Sequence, residues 1–233
     1  MSRNAAVRTA LEETAALAEA PLELDLELVP TAPLRAETPG EEFRTLRTRL
    51  EQLLATRAIQ TVLVASPSPG DGKSFTAANL ALAEAQLADN PTLLCDFDLR
   101  NPILHSVFRI DRAPGISDYL LGTAHLHDSL RRIGDTNLFV MPAGKAVMNP
   151  LELLHLKEVR RLMDRLRGAF RRVLLDSPAL LVASDANLLA PLADGTLLVT
   201  RIGATRVDSM GRAIGALSHD SILGIVANGT RHY

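Results

Sequence analysis

Ser66-Pro67-Ser68-Pro69-Gly70-Asp71-Gly72-Lys73-Ser74 follows directly on the apolar run 61–65 and opens a helical pattern. A strand feeding a glycine-rich turn, with Lys-Ser at the mouth of a helix, has the arrangement of a phosphate-binding loop. Small residues let successive backbone N–H groups curl around phosphate oxygens, and the positive helix end adds attraction. Gly70 and Gly72 supply that freedom. Lys73 is placed to reach the outer phosphates, and Ser74 to offer its hydroxyl to a bridging Mg²⁺. The cradle for a nucleotide runs through Pro69, Gly70, Asp71, Gly72, Lys73, Ser74 and Phe75. Pro67 stands where the usual G-x-x-x-x-G-K-[ST] pattern has its first glycine.

Two more apolar runs end in carboxylates. Leu93-Leu94-Cys95-Asp96-Phe97-Asp98-Leu99-Arg100-Asn101-Pro102 brings two acids and an arginine out of one strand. Alternation along an extended chain puts Asp96 and Asp98 on one side, with Arg100 following if the extension persists. Both acids are then able to face a metal-bound phosphate or a hydroxyl nucleophile. Val173-Leu174-Leu175-Asp176-Ser177-Pro178 ends in the kind of aspartate that orients Mg²⁺ directly or through water.

Short apolar runs bounded by turn residues predict strands at 61–65, 92–96, 138–142, 173–176, 196–201 and 222–228. Helical patterns fall at 41–55, 74–88, 151–167, 185–190 and 206–217, with short or irregular pieces from 102 to 132. This alternation, with strands apolar on both faces, predicts an α/β fold: a doubly wound, mostly parallel sheet covered by helices on each side. Ligands of such sheets bind at the carboxyl ends of the strands.

Of the 233 residues 47% are hydrophobic, which excludes disorder throughout, and length allows one α/β domain with an arm. Residues 1–40 read as that arm, acidic and interrupted by prolines, mobile or peripherally docked. They carry seven acidic residues against three arginines, and Pro21, Pro30, Pro33 and Pro39 break any helix. Residues 41–233 form the compact domain. A net charge of -2 gives no basic field for nucleic acid, and six Phe, two Tyr and no Trp make a base-stacking platform implausible. A lone Cys95 excludes an internal disulfide framework and a thiolate zinc cluster. With neither a signal-peptide pattern nor a span of about 18 to 20 apolar residues, the sequence predicts a cytoplasmic protein.

The three carboxylate and phosphate motifs together resemble the bacterial tyrosine kinases of capsule and exopolysaccharide synthesis, relatives of the deviant-Walker ATPases that partition DNA. Glu41, Arg44 and Arg47 match that family's E-x-x-R-x-x-R helix, 69–74 its Walker A, and Asp96-x-Asp98-x-Arg100-x-Pro102 its second Walker motif. Gly115-Ile-Ser, Pro142-Ala-Gly144 and Asn149-Pro-Leu-Glu-Leu-Leu154 are similar to further family signatures.

The resemblance implies a kinase that uses Mg-ATP and phosphorylates tyrosines on its own tail in neighbouring subunits. It also implies activation by a membrane-spanning polysaccharide co-polymerase, hence recruitment to the inner face of the plasma membrane. Homo-oligomers would form through Glu41, Arg44 and Arg47. By position, Lys73, Asp96, Asp98 and Asp176 are the catalytic set, and Ser74, Asp96 and Asp176 the metal ligands. Arg100 contacts the nucleotide, and Asn228 resembles the residue that reads adenine. The chain departs from the family after Asp176, where Pro178 precedes Ala179, and at the tail, which offers Tyr233 alone. The alternative is an ATPase or regulatory subunit of the same machinery, without tyrosine transfer; a nucleotide-binding adaptor is a third reading. Arg160, Arg161, Arg165, Arg167, Arg171 and Arg172 read as a solvated helix face. Tyr119 is expected to pack rather than react, and the six histidines have no role.

Overall fold

The computed structural model describes residues 26, 29, 31–32, 40–54, 56–155, 157–183, 185–217 and 221–229. Eight strands form one sheet in the order β1-β4-β5-β3-β6-β2-β7-β8. They are β1 (Thr31–Ala32), β2 (Thr61–Ala65), β3 (Thr92–Asp96), β4 (Arg131–Ile133), β5 (Leu138–Met141), β6 (Arg172–Asp176), β7 (Gly195–Arg201) and β8 (Ile222–Asn228). Every pairing is parallel except β4 with β5. All six expected strands are present.

Side-chain alternation divides the interior into two cores, one on each face of the sheet. Leu63, Ala65, Leu93, Cys95, Val173 and Leu175 point to one side, and Val62, Val64, Leu94 and Leu174 to the other. Helices cover both faces because these central strands are apolar all round. The second face is closed by α1 (Glu41–Leu54), α2 (Lys73–Glu84) and α3 (Leu104–Phe108), which contribute Leu50, Ala77, Leu80, Ala81, Leu104 and Phe108. The first face is closed by α4 (Ile116–Leu120), α5 (Pro150–Leu154), α6 (Lys157–Ala169), α7 (Asp185–Leu189) and α8 (Val207–Ala216). In α6, Val159, Leu162, Met163 and Leu166 recur at helical spacing and are all buried.

Four expectations are revised. The single helix over 151–167 is two, α5 and α6; Pro150 opens α5 at its first turn. The arm is not wholly peripheral: β1 pairs with β4, and Val29 lies buried in the first core. The rest of the arm, residues 1–25, 27–28, 30 and 33–39, lies outside the described residues. The arginine cluster is not one solvated face. Arg172 is 3% exposed, donating to the Ile59 carbonyl and paired with Glu51 at 2.9 Å and Glu84 at 3.5 Å. Arg167 donates to Thr61 Oγ1 and the Leu192 carbonyl, while Arg165 donates to the Tyr119 hydroxyl, so Tyr119 packs as expected.

Finally, Glu41, Arg44 and Arg47, three apart on α1 and expected to meet a neighbouring subunit together, are engaged differently within the chain. Arg44 bridges to Glu41 at 3.0 Å, whereas Arg47 turns inward and donates to the Ala83 carbonyl at 2.8 Å. A guanidinium there complements the negative end of α2 and fastens α1 to it.

Candidate active site

β3, β6 and β2 are adjacent at the centre of the sheet, which is why three motifs far apart in sequence meet. Asp176 is the register partner of Asp96 on one side and of Val64 on the other, and the phosphate loop leaves β2 one residue later. The loop turns through left-handed backbone at Gly70 (φ 83°) and Gly72 (φ 99°), a region that side-chain-bearing residues avoid. Helix α2 starts at Lys73.

Lys73 Nζ lies 3.1 Å from Asp98 Oδ2 and donates to Ser74 Oγ at 3.2 Å. Asp98 Oδ1 accepts from the Asn101 N–H, which fixes the loop beyond β3. Asp96 Oδ2 accepts from the N–H groups of Ile103 and Leu104, where α3 begins. All three aspartates are buried.

Burial, above all, pushes the Asp96 carboxyl up to about 8; the neighbouring Asp176 adds to this, and the α3 amides oppose it. Burial likewise raises Asp176 to about 6, with Lys73 favouring its charged form. The Ser74 hydroxyl is near enough to favour that charge too, yet no hydrogen bond of good geometry joins the pair. Neither oxygen of Asp176 has a hydrogen-bond partner, nor does Asp96 Oδ1. Buried carboxylate oxygens left without donors are costly unless a further partner satisfies them. Three such hard oxygens, those of Asp176 with the Ser74 hydroxyl near them, fit Mg²⁺, which takes one or two carboxylates and otherwise phosphate and water. Among the described residues no cluster of three or more His, Cys, Asp or Glu makes an all-protein metal cage.

Other expected site residues are placed less simply. β3 ends at Asp96, so strand alternation does not carry Arg100 to the phosphate side; its guanidinium binds both oxygens of Asp185, at 2.7 and 3.1 Å. The Phe75 ring meets Phe43 of α1 edge-on at 5.6 Å, leaving only its backbone to the cradle. Asn228 abuts the loop: its amide donates to the Asp71 carbonyl, and its Oδ1 accepts from Gly229 N–H. A Cβ at Gly72 would overlap that carboxamide. Asp185 and Thr205, a partner of the Asp71 carboxylate, carry no motif and were not legible in the sequence.

Tyrosine-protein kinase YwqD of Bacillus subtilis is 34% identical to the chain over 194 residues, covering 82% of this chain and 81% of that protein. The chain belongs to the bacterial tyrosine kinases. As a member it is a protein-tyrosine kinase that uses ATP. Putative tyrosine-protein kinase EpsB of Ralstonia nicotianae is 34% identical over 190 residues, but this chain spans only 25% of it. Among solved structures, the kinase domain of the Escherichia coli tyrosine kinase ETK matches with a TM-score of 0.77 at 28% identity, over 82% of this chain and 75% of that one. The septum site-determining protein MinD of Pyrococcus horikoshii, solved with Mg-ADP, has a TM-score of 0.59 at 22% identity over 72% of this chain, a likeness of fold alone. No family model matches the chain. Among the described residues, no helix is long and apolar enough to cross a membrane.

Proposed function

We propose that this kinase transfers the γ-phosphoryl group of ATP to tyrosine hydroxyls at the carboxyl ends of β2, β3 and β6. What supports this reading most is the convergence of Lys73 with Asp96, Asp98 and Asp176 at the carboxyl ends of neighbouring central strands, in a chain one-third identical to a tyrosine-protein kinase. The reaction asks for positioning and charge neutralisation rather than covalent participation by the protein. The loop amides and Lys73 hold the phosphates, while Asp98 keeps the Lys73 ammonium at the loop. Asp96, at the end of β3 beside Asp176, orients the attacking tyrosine hydroxyl and receives its proton. Ser74, Asp176 and Asp96 hold Mg²⁺. The cation, when bound, neutralises charge on the transferred phosphoryl group.

In this proposal Arg100 contacts the nucleotide by leaving Asp185, and Asn228 reads the base with the donor and acceptor capacity not committed to Asp71 and Gly229. The protein acts in exopolysaccharide or capsule synthesis, as the family does. It assembles as a homo-oligomer through the α1 region and is recruited by a membrane-spanning co-polymerase to the inner face of the membrane. Tyr233, outside the described residues, is the tail acceptor.

Incubation with γ-labelled ATP and Mg²⁺, with and without the cytoplasmic segment of a co-polymerase, tests the acceptor. Label is expected on the wild type, absent from Lys73→Met, and lost from the tail in Tyr233→Phe. Full labelling of Tyr233→Phe would remove Tyr233 as sole acceptor.

A further inference from the structure

Asp71 stands at an unspecified position of the G-x-x-x-x-G-K-[ST] pattern, yet it is 3% exposed and three of its polar atoms are engaged. Its Oδ2 accepts from the Ser68 N–H at 2.8 Å, closing the loop on itself. Its Oδ1 accepts from the Thr205 hydroxyl at 2.7 Å, across 134 residues of sequence. Its carbonyl accepts from Asn228 at 3.0 Å. Its own position before Gly72 leads straight into Lys73.

Thr205 is equally constrained. It closes the tight turn after β7, donating its N–H to the Arg201 carbonyl at 2.9 Å, while its Oγ1 accepts from the Arg201 N–H at 2.8 Å. A hydroxyl has one proton. With the Arg201 N–H directed at the oxygen, that proton is delivered to Asp71. The turn is itself joined to the end of β8, because the Ile202 N–H donates to the Asn228 carbonyl at 2.9 Å. Thr205 and Asn228 thus form one fixed block, and Asp71 is its point of attachment to the phosphate loop.

From this geometry we propose that Thr205 is a positioning residue for nucleotide binding, acting through Asp71 to hold the phosphate loop in its receptive shape. The inference rests on the nucleotide-site reading above. A loop containing Gly70 and Gly72 loses much conformational freedom when it closes on a ligand. Bracing Asp71 from a rigid turn incurs that loss on folding instead, so that less is lost on binding. The two oxygens of Asp71 are spent on Ser68 and Thr205, and the carboxylate is thereby held back from the phosphates that the neighbouring amides must receive.

The test is titration of the purified full chain with a fluorescent ADP analogue in Mg²⁺, paired with steady-state kinetics in ATP. Thr205→Val keeps the shape and removes the hydroxyl; it is expected to weaken binding on the order of tenfold, as loss of a hydrogen bond to a charged acceptor does. The KM for ATP should rise to match, while kcat at saturation stays within about twofold. Thr205→Ser, which retains the hydroxyl, should bind within about twofold of wild type. If Thr205→Val does not fold, Thr205→Ala takes its place with the same expectation. Wild-type affinity in the hydroxyl-free variant, or equal weakening in Thr205→Ser, overturns the proposal. Lys73→Met separates the two levels: if it binds as wild type, the nucleotide-site reading itself fails, whereas weak Lys73→Met beside normal Thr205→Val refutes the brace alone.

Discussion

Asp96 and Asp176 are register partners across β3 and β6, both fully buried and both carrying oxygens without hydrogen-bond partners. Two carboxyls so placed cannot both ionise cheaply without a cation. In the proposed site the pair would therefore tie nucleotide chemistry to pH, metal and stability at once.

The first consequence is a pH slope in the nucleotide-free protein. Burial holds Asp96 near 8, with the Asp176 charge adding to the shift, and burial holds Asp176 near 6 against the opposing effect of Lys73, both above the ordinary aspartate value. The folded state then binds more protons than the unfolded one, so these groups favour folding at low pH and that contribution is lost as pH rises from about 4 to about 8. Melting temperatures in Mg²⁺-free buffer at several pH values should fall over this window, and Asp96→Asn should flatten the fall. An unchanged slope in Asp96→Asn would contradict the assignment. Mg-nucleotide binding near neutral pH should also release protons, which calorimetry in buffers of different ionisation enthalpy measures.

Gly72 allows a second prediction. Its left-handed φ and the Asn228 carboxamide against it leave no place for a methyl group. Gly72→Ala is expected to cost about 1–3 kcal/mol of stability and to weaken nucleotide binding well over tenfold, because the loop must shift away from Asn228. Gly168→Ala, in the last turn of α6 with open space around it, should be neutral or slightly stabilising by about 0.5 kcal/mol. Chemical denaturation of both variants compares them directly.

Far from the nucleotide, Glu84 is wholly buried at the end of α2 and shares Arg172 with Glu51. Burial raises the Glu84 carboxyl above its ordinary range, and Arg172 opposes that shift. Arg172→Leu leaves Glu84 uncompensated and should destabilise the fold by about 3 kcal/mol, more at pH 8 than at pH 5, where Glu84 takes up a proton. Arg172→Leu with Glu84→Leu should recover a large part of the loss. Urea titrations at the two pH values provide the comparison.

How much of this was readable beforehand follows from the range of each interaction. Strands β2, β3, β5, β6, β7 and β8 announce themselves by apolar runs, and the phosphate loop, Asp96 and Asp176 by their place at strand ends. Strands β1 and β4 do not: with two and three residues, and with Arg131 and Arg132 in β4, neither has a pattern long enough to register. Arg172 looks like one of a solvated arginine series, because nothing local announces Glu84 88 positions earlier. Arg100 is assigned to the phosphate side by alternation that stops at Asp96, four residues too soon. The Thr205 contact with Asp71 spans 134 positions between a turn and a loop, and only folding brings it together.

Tyrosine phosphorylation is proposed at the site of Lys73, Asp96 and Asp98. The most direct measurement follows phosphotyrosine by mass spectrometry, on the protein and on a tyrosine-containing acceptor polymer, together with phosphate release in the same Mg-ATP reaction. Phosphotyrosine is expected in the wild type and at least about a hundredfold less in Asp96→Asn, with nucleotide binding retained. Steady phosphate release with no phosphotyrosine on either acceptor would contradict it and leave the chain an ATPase.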